Sequence, residues 1–262
     1  MSDILSDLDL GDAKPSDPVR EAQAGLKKVL PKRFYKQANV IPGAEGGFVV
    51  ALDGKPVRTP SRQELGVAYA DLAAALAAEW EAQTDKIDPA TMPLTRMINT
   101  AIDAVSTAEE EVFEDILRYA GSDLLCYRAD GPEALVAREA KHWDPHLDWA
   151  ASMGARLVLA EGIIHVEQPA DAIRAIAVLL RRYATPLELT ALHTITTITG
   201  SLVLALALAE GRAEPSEIWD AAHVDEDFNI AQWGEDYEAA ARRATRLIDF
   251  QAAAQILSAC KA

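Results

Sequence analysis

The sequence predicts an α+β protein: a small antiparallel sheet near the amino terminus, covered by helices, followed by a mainly α-helical part carrying one hairpin. Three observations lead there. Strand-type texture (RFYKQANVI, GAEGG, GFVVALDGKPVRTP) is concentrated in residues 33–60. From Asp71 onward the apolar residues recur at helical spacing in alanine-rich segments, and alanine is the strongest helix former. Half of the 262 residues are hydrophobic, enough to bury a sizeable core.

Residues 1–31 carry acids, Pro15, Pro18 and Pro31 with little periodicity, and are expected to form a mobile arm, with a short helix possible over Glu21 to Leu30. Next comes a meander whose hairpin turn is Asp53-Gly54, with a further short strand at Leu65 to Tyr69. A helix is expected from Asp71 to Gln83, ended by Asp88 and Pro89. A second runs from Pro93 to about Val105, and Thr107 is expected to cap a third beginning with Glu109, Glu110 and Glu111. LLCYR at 124–128 reads as a strand or as the end of this helical layer. Beyond Gly131 helices are expected over Glu133 to Ala151, Ala170 to Tyr183, Pro186 to Ala209, Pro215 to about Gln232 and Tyr237 to Cys260. The exception is RLVLAEGIIHV from Arg156, read as a hairpin turning at Glu161 and Gly162. The division into a strand-bearing and a helical part places a boundary near residue 128: an arm at 1–31, an α/β domain at 32–128 and a helical domain at 129–262.

Composition excludes several function classes. Lys and Arg total 25 against 41 Asp and Glu, so 25 − 41 gives a formal charge of −16. Such a chain repels phosphate backbones and anionic membranes, and a protein or cationic partner suits it better. Cys126 and Cys260 lie far apart without CxxC spacing, so neither a zinc ribbon nor a redox pair is indicated. The opening MSDILSDLDL holds acids where a leader would hold Lys or Arg, and a bacterial cytoplasmic location is expected. Ala191 to Ala209 contains no formal charge, yet its threonines, His193, Gly200 and Ser201 suit a central buried helix better than a membrane span.

The stretch Ile218 to Glu238, IWDAAHVDEDFNIAQWGEDYE, sets seven carboxylates among large aromatics. Read as one continuous helix, Trp219, Ala222, Glu226, Ile230, Trp233 and Tyr237 form a stripe with Glu226 at its middle. An unpaired carboxylate buried there costs several kcal/mol, so Glu226 must reach water, pair internally or await a partner's cation. The plainer reading is ordinary core with a solvated acidic face, its acids answered by Arg242, Arg243 and Arg246.

Among catalytic patterns the best is HWDPH, where His142 and His146 are four apart and could share a metal with Asp144 or Asp148. Pro145 lies between them, no third ligand has diagnostic spacing, and a structural or surface role outweighs metal binding. GxxxxGK[ST] and GxSxG are absent, and the carboxylates do not pair in an acid/base pattern. In Glu79 to Thr95, EWEAQTDKIDPATMPLT, Trp80 and Met92 either seal the core or offer an adaptable apolar surface, with core favoured for Trp80.

RFYKQANV, GGFVVALDGKPVRTP, EWEAQTDKIDPATMPLT, LLCYR, HWDP and DEDFNIAQWG, in that order over about residues 33–250, resemble the assembly chaperone family for the catalytic head, F(1), of F-type ATP synthase, in its alpha-subunit-binding type. The resemblance implies an α/β domain followed by a helical domain and a noncatalytic role. It also implies a partner, the unassembled alpha subunit, whose beta-contacting surface is shielded until the ring forms, with no cofactor or metal. On that expectation Trp233 and Phe228 are anchors, and Asp225, Glu226, Asp227 and Glu235 form the charged determinant. Two alternatives stand beside it: a metal-dependent enzyme using His142 and His146, and a generic holdase.

Overall fold

The computed structural model describes residues 30–44, 46–162 and 166–261, so nearly all of the expected arm lies outside the described residues. Strands β1 (Ala38–Pro42) and β2 (Phe48–Leu52) pair antiparallel with Val40 opposite Val50. The other edge of β2 pairs antiparallel with β3 (Lys55–Pro56) and β4 (Gly66–Val67), the latter within the strand expected at 65–69. Asp53 and Gly54 both have positive φ, 49° and 80°, as a two-residue hairpin turn requires. The Asp53 carboxylate also accepts from the amides of Lys36 and Gln37, which ties the turn to the chain entering β1.

Helix α1 (Ala70–Glu81) lays Leu72, Ala73, Leu76 and Ala77 on β1 and β2. Its carboxyl end is a hydrogen-bonded corner. Glu79 accepts from the amides of Leu94 (2.7 Å) and Thr95 (2.8 Å) and from the Thr95 hydroxyl, and so caps α2 (Pro93–Asp103). Burial pushes the Glu79 carboxyl up while these donors pull it back. Glu81 accepts from the Ala38 amide and pairs with Arg33, and Gln83 joins Asp88 to Thr91. Met92 is buried. Trp80 is half-buried against Tyr35, its indole N–H buried with no acceptor among the described residues. The distinctive run 79–95 is thus largely a device for turning the chain.

Helix α3 (Glu109–Arg118) begins with three acids, favourable at the positive end of a helix dipole. LLCYR divides between its two readings: Leu124–Cys126 is a 3-10 turn, and Tyr127–Arg128 is a strand, β5. Helix α4 (Glu133–Ser152) continues through Pro145. Beyond it, β6 (Ala160–Glu161) pairs in parallel with β5 at residues 127–128. The Gln168 side chain holds the approach to β6 by bonding both the amide and carbonyl of Val158 (2.8 and 2.9 Å). The rest of the expected hairpin includes residues 163–165, outside the described set.

After α5 (Ala170–Leu180), the helix expected over 186–209 is two, α6 (Pro186–Thr199) and α7 (Leu202–Ala209). Gly200, at φ 71°, ends α6 in the left-handed region, and the Ser201 hydroxyl accepts from the Leu204 amide (3.0 Å) to begin α7. All eight residues of α7 are buried. Asp123, itself fully buried, accepts from Val203 N (3.0 Å) and Leu125 N (3.1 Å) and so caps α7 from eighty positions upstream. Helices α8 (Pro215–Ala222), α9 (Val224–Trp233) and α10 (Tyr237–Cys260) complete the chain, α10 packing along α6 and α2. One connected apolar cluster runs from Tyr35 to Leu257, across residue 128. Among the described residues no helix is long and apolar enough to cross a membrane.

Candidate protein-binding site

Helix α8 starts on Pro215 with a reciprocal cap between Glu214 and Glu217, and stops at His223 (φ −119°, ψ 19°). The single helix expected over 215–232 is therefore bent, and the stripe drawn along it does not exist as one face. Trp219 is 8% exposed, packed against the rings of His223 (4.0 Å) and Phe250 (5.4 Å), whereas Trp233 and Tyr237 are 86% and 87% exposed. A polar turn follows from sequence: His223 bonds the Trp219 carbonyl through Nδ1 (2.8 Å), which closes α8 and frees α9 to leave in a new direction.

Helix α9 opens on Asp225, Glu226 and Asp227, and Val224 is its buried residue. Asp227 pairs with Arg243 of α10, whose guanidinium lies 5.9 Å from the Trp219 ring centre, so this ion pair fixes α9 to α10. Glu226, partly exposed, stands 4.0 Å from His223 Nε2, and burial holds the His223 imidazole below its ordinary pKa. Asp225 is exposed as a residue, but its carboxylate meets the buried Glu139 of α4. Phe228 is half-buried. At the far end Gly234 adopts φ 86°, ψ 170°, a region open essentially to glycine, and Asp236 caps α10 by accepting from Ala239 N (2.8 Å). Residues 231–238 are all exposed, Glu235 among them.

Of the six residues singled out in sequence, Trp233 and Glu235 stand in water, Glu226 and Phe228 are intermediate, and Asp225 and Asp227 are engaged with the scaffold. Tyr237 joins the exposed corner as its second aromatic. Sequence reasoning passed over Glu139, 1% exposed and accepting from Ala129 N at 3.0 Å. Its signal was its place one turn before Trp143 on the buried side of α4.

HWDPH also acquires a structural account. Trp143 is buried and donates through Nε1 to the Ala221 carbonyl (2.7 Å), Arg128 lies 5.1 Å over its ring, and Asp144 pairs with Arg128 (2.6 Å). His142 and His146 line a cleft of about 310 Å³ with Lys141, Arg212, Glu217 and Asp220, and burial lowers the His146 pKa. Among the described residues no group of three or more His, Cys, Asp and Glu is placed to hold a metal ion. A cavity of about 950 Å³ lies beside the sheet between Gly43, Gly66 and Asp103, and the Asp103 carboxylate there accepts from Thr59 and Ser61.

Solved structures similar to this chain include a candidate chaperone and Atp12. The Atu1473 protein of Agrobacterium tumefaciens, a candidate chaperone, is 53% identical with a TM-score of 0.85 over 95% of this chain and 92% of its own. Atp12 from Paracoccus denitrificans is 39% identical with a TM-score of 0.79 over 87% of this chain and 97% of its own, and an aspartate-to-lysine mutant of that protein matches equally well, at 38% identity. The ATP12 chaperone protein family matches residues 32–151, from the entry to the sheet to the end of α4. This chain belongs to the ATP12 chaperone family.

Proposed function

We propose that this chain is an ATP synthase assembly chaperone that binds the unassembled alpha subunit and shields its beta-contacting surface, using the corner where α9 meets α10. Family membership supports the general role. The observation that carries the placement is Trp233 at 86% exposure, joined by Tyr237 across a glycine, in a stretch from Val224 to Glu238 holding six acids and no Lys or Arg. Large aromatics left in water beside acids suit a contact surface in which rings supply affinity and charge selects a cationic face and speeds encounter. Asp227 with Arg243, and Asp236 as a cap, hold the corner so that little ordering remains for binding. Release follows when the beta subunit competes for the same face.

The test is capture of free alpha subunit by the tagged full chain at low and moderate salt. Trp233→Ala is expected to retain about tenfold less, near the 1.4 kcal/mol expected of an interface anchor, with an unchanged melting temperature. Glu226→Lys should also weaken capture without unfolding the chain. Equal retention by both variants would overturn the placement. Failure of the parent to retain alpha subunit, or equal protection of unrelated aggregating proteins, would overturn the client assignment.

A further inference from the structure

The start of α9 rests on a pair of carboxyl groups. Glu139 projects from α4 into a site where it is 1% exposed, and both its oxygens lie within 3.0–3.2 Å of Ala129 N. Asp225, in the first turn of α9, is in side-chain hydrogen-bond contact with it, and α4 and α9 pack on one another. Two carboxylates in contact need a proton or a cation between them. Among the described residues the cation acting on Glu139 is Arg128 of β5. Its Nη2 is bound to Asp144, its Nε donates to the Leu125 carbonyl (3.2 Å), and its guanidinium covers Trp143. Arg128 is thus committed to other acceptors.

We infer that Glu139 and Asp225 share one proton and form a latch between α4 and α9, closed while the proton is held and loosened when it leaves. Loss of the proton sets two negative charges in contact, one of them buried, and the group able to move is Asp225. It sits just beyond the bend at His223, on a helix whose buried anchor is Val224. Motion there carries through α9 to Trp233. Of the other titratable groups described around this junction, His223 faces Glu226, Asp227 faces Arg243, and Asp144 faces Arg128. Burial, and then the charge of Asp225, push the Glu139 carboxyl up to about 7, while the Ala129 amide and Arg128 draw it down. The sign follows. Protonated Glu139 favours the latched form, so the latch is closed in mild acid and opens as pH rises through neutrality.

The experiment is amide hydrogen exchange of the full chain between about pH 6 and pH 8, expressed as protection factors, with Glu139→Gln alongside. Glutamine keeps an acceptor for Ala129 N and offers Asp225 a permanent donor. In the parent, protection over 224–233 is expected to fall by up to about tenfold per pH unit above the midpoint, while the variant stays flat. A parent whose α9 protection does not change with pH, or a variant that follows the parent, would overturn the latch. If Glu139→Gln fails to fold, Asp225→Asn on the exposed partner takes its place; it removes the facing charge but leaves Glu139 buried, so a pH dependence weaker than the parent's is expected, and one equal to the parent's would overturn the latch. The Glu139 carboxyl carbon, followed by NMR, should titrate near neutrality, and titration in the ordinary carboxylate range would refute the shared proton. These readouts need no client, so the latch can fail while the proposed function stands, and the reverse.

Discussion

Asp123→Asn is the most informative substitution in the core, because the effect of that carboxyl on stability can be worked out with pH. Asp123 is fully buried, accepts from Leu125 N and Val203 N, and burial pushes its pKa from 3.8 up to about 6 against the pull of those donors and the Ser201 hydroxyl. A raised folded-state pKa means that the folded chain holds the proton more tightly than the unfolded one. The associated stability is present below the unfolded value of 3.8 and is lost as pH rises through 6. The full difference, 6 − 3.8 = 2.2 units, corresponds to about 3 kcal/mol at 1.36 kcal/mol per unit, of which roughly 1.3 kcal/mol falls between pH 5 and pH 7. Asparagine has the same shape and no titration. Urea unfolding of parent and variant at those two pH values should therefore give a stability difference that shifts by about 1 kcal/mol in favour of the variant at the higher pH. Taking the difference cancels Glu139, which titrates in the same range. A parent-to-variant difference that is constant with pH would refute the assignment of Asp123 as an ionising buried cap.

Two further substitutions test the scaffold of the corner. Gly234→Ala places a side chain at φ 86°, ψ 170°, and is expected to destabilise by about 1–3 kcal/mol in thermal unfolding or to reset the angle between α9 and α10, seen as a change in Trp233 fluorescence. Trp143→Phe removes the donor to the Ala221 carbonyl and part of a buried ring, and should lower stability by about 2–3 kcal/mol by urea titration, with near-neutral behaviour counting against that hydrogen bond.

The fold class was legible because its signals are local. Asp53-Gly54 announced the hairpin turn, and alanine-rich periodicity announced α1 and α10. Breaks were harder to place. Gly200 was visible as an interruption, but that it separates two helices depends on Asp123 reaching Val203 from a distant turn. At His223 no glycine or proline marks the bend, since the stop comes from a side chain bonding back to Trp219. That one turn decides the corner: a straight helix would have put Trp219 and Trp233 on the same stripe, and the bend sends one inward and the other out. The pairing of β6 with β5 joins residues more than thirty apart and leaves no trace in either two-residue strand. Glu139 looked like one more acid on an amphipathic helix, since the groups that define its setting, Ala129 N and Asp225, arrive from other elements.

The enclosure of α7 has a consequence for the order in which the chain is made. Residues 202–209 leave the ribosome after α4 and α6 have been synthesised, yet they cover those helices. Until they arrive the apolar faces of those helices stand open, and Trp143 waits longer still, for the Ala221 carbonyl of α8 that it will bond. The sheet with α1 and α2 can close early on contacts close in sequence, whereas the helical body closes only when its last third is delivered. A protein whose family guards other chains thus has its own interval of exposure during synthesis, which begins to close with a helix of eight residues and the aspartate that receives it, and ends with the helix that follows.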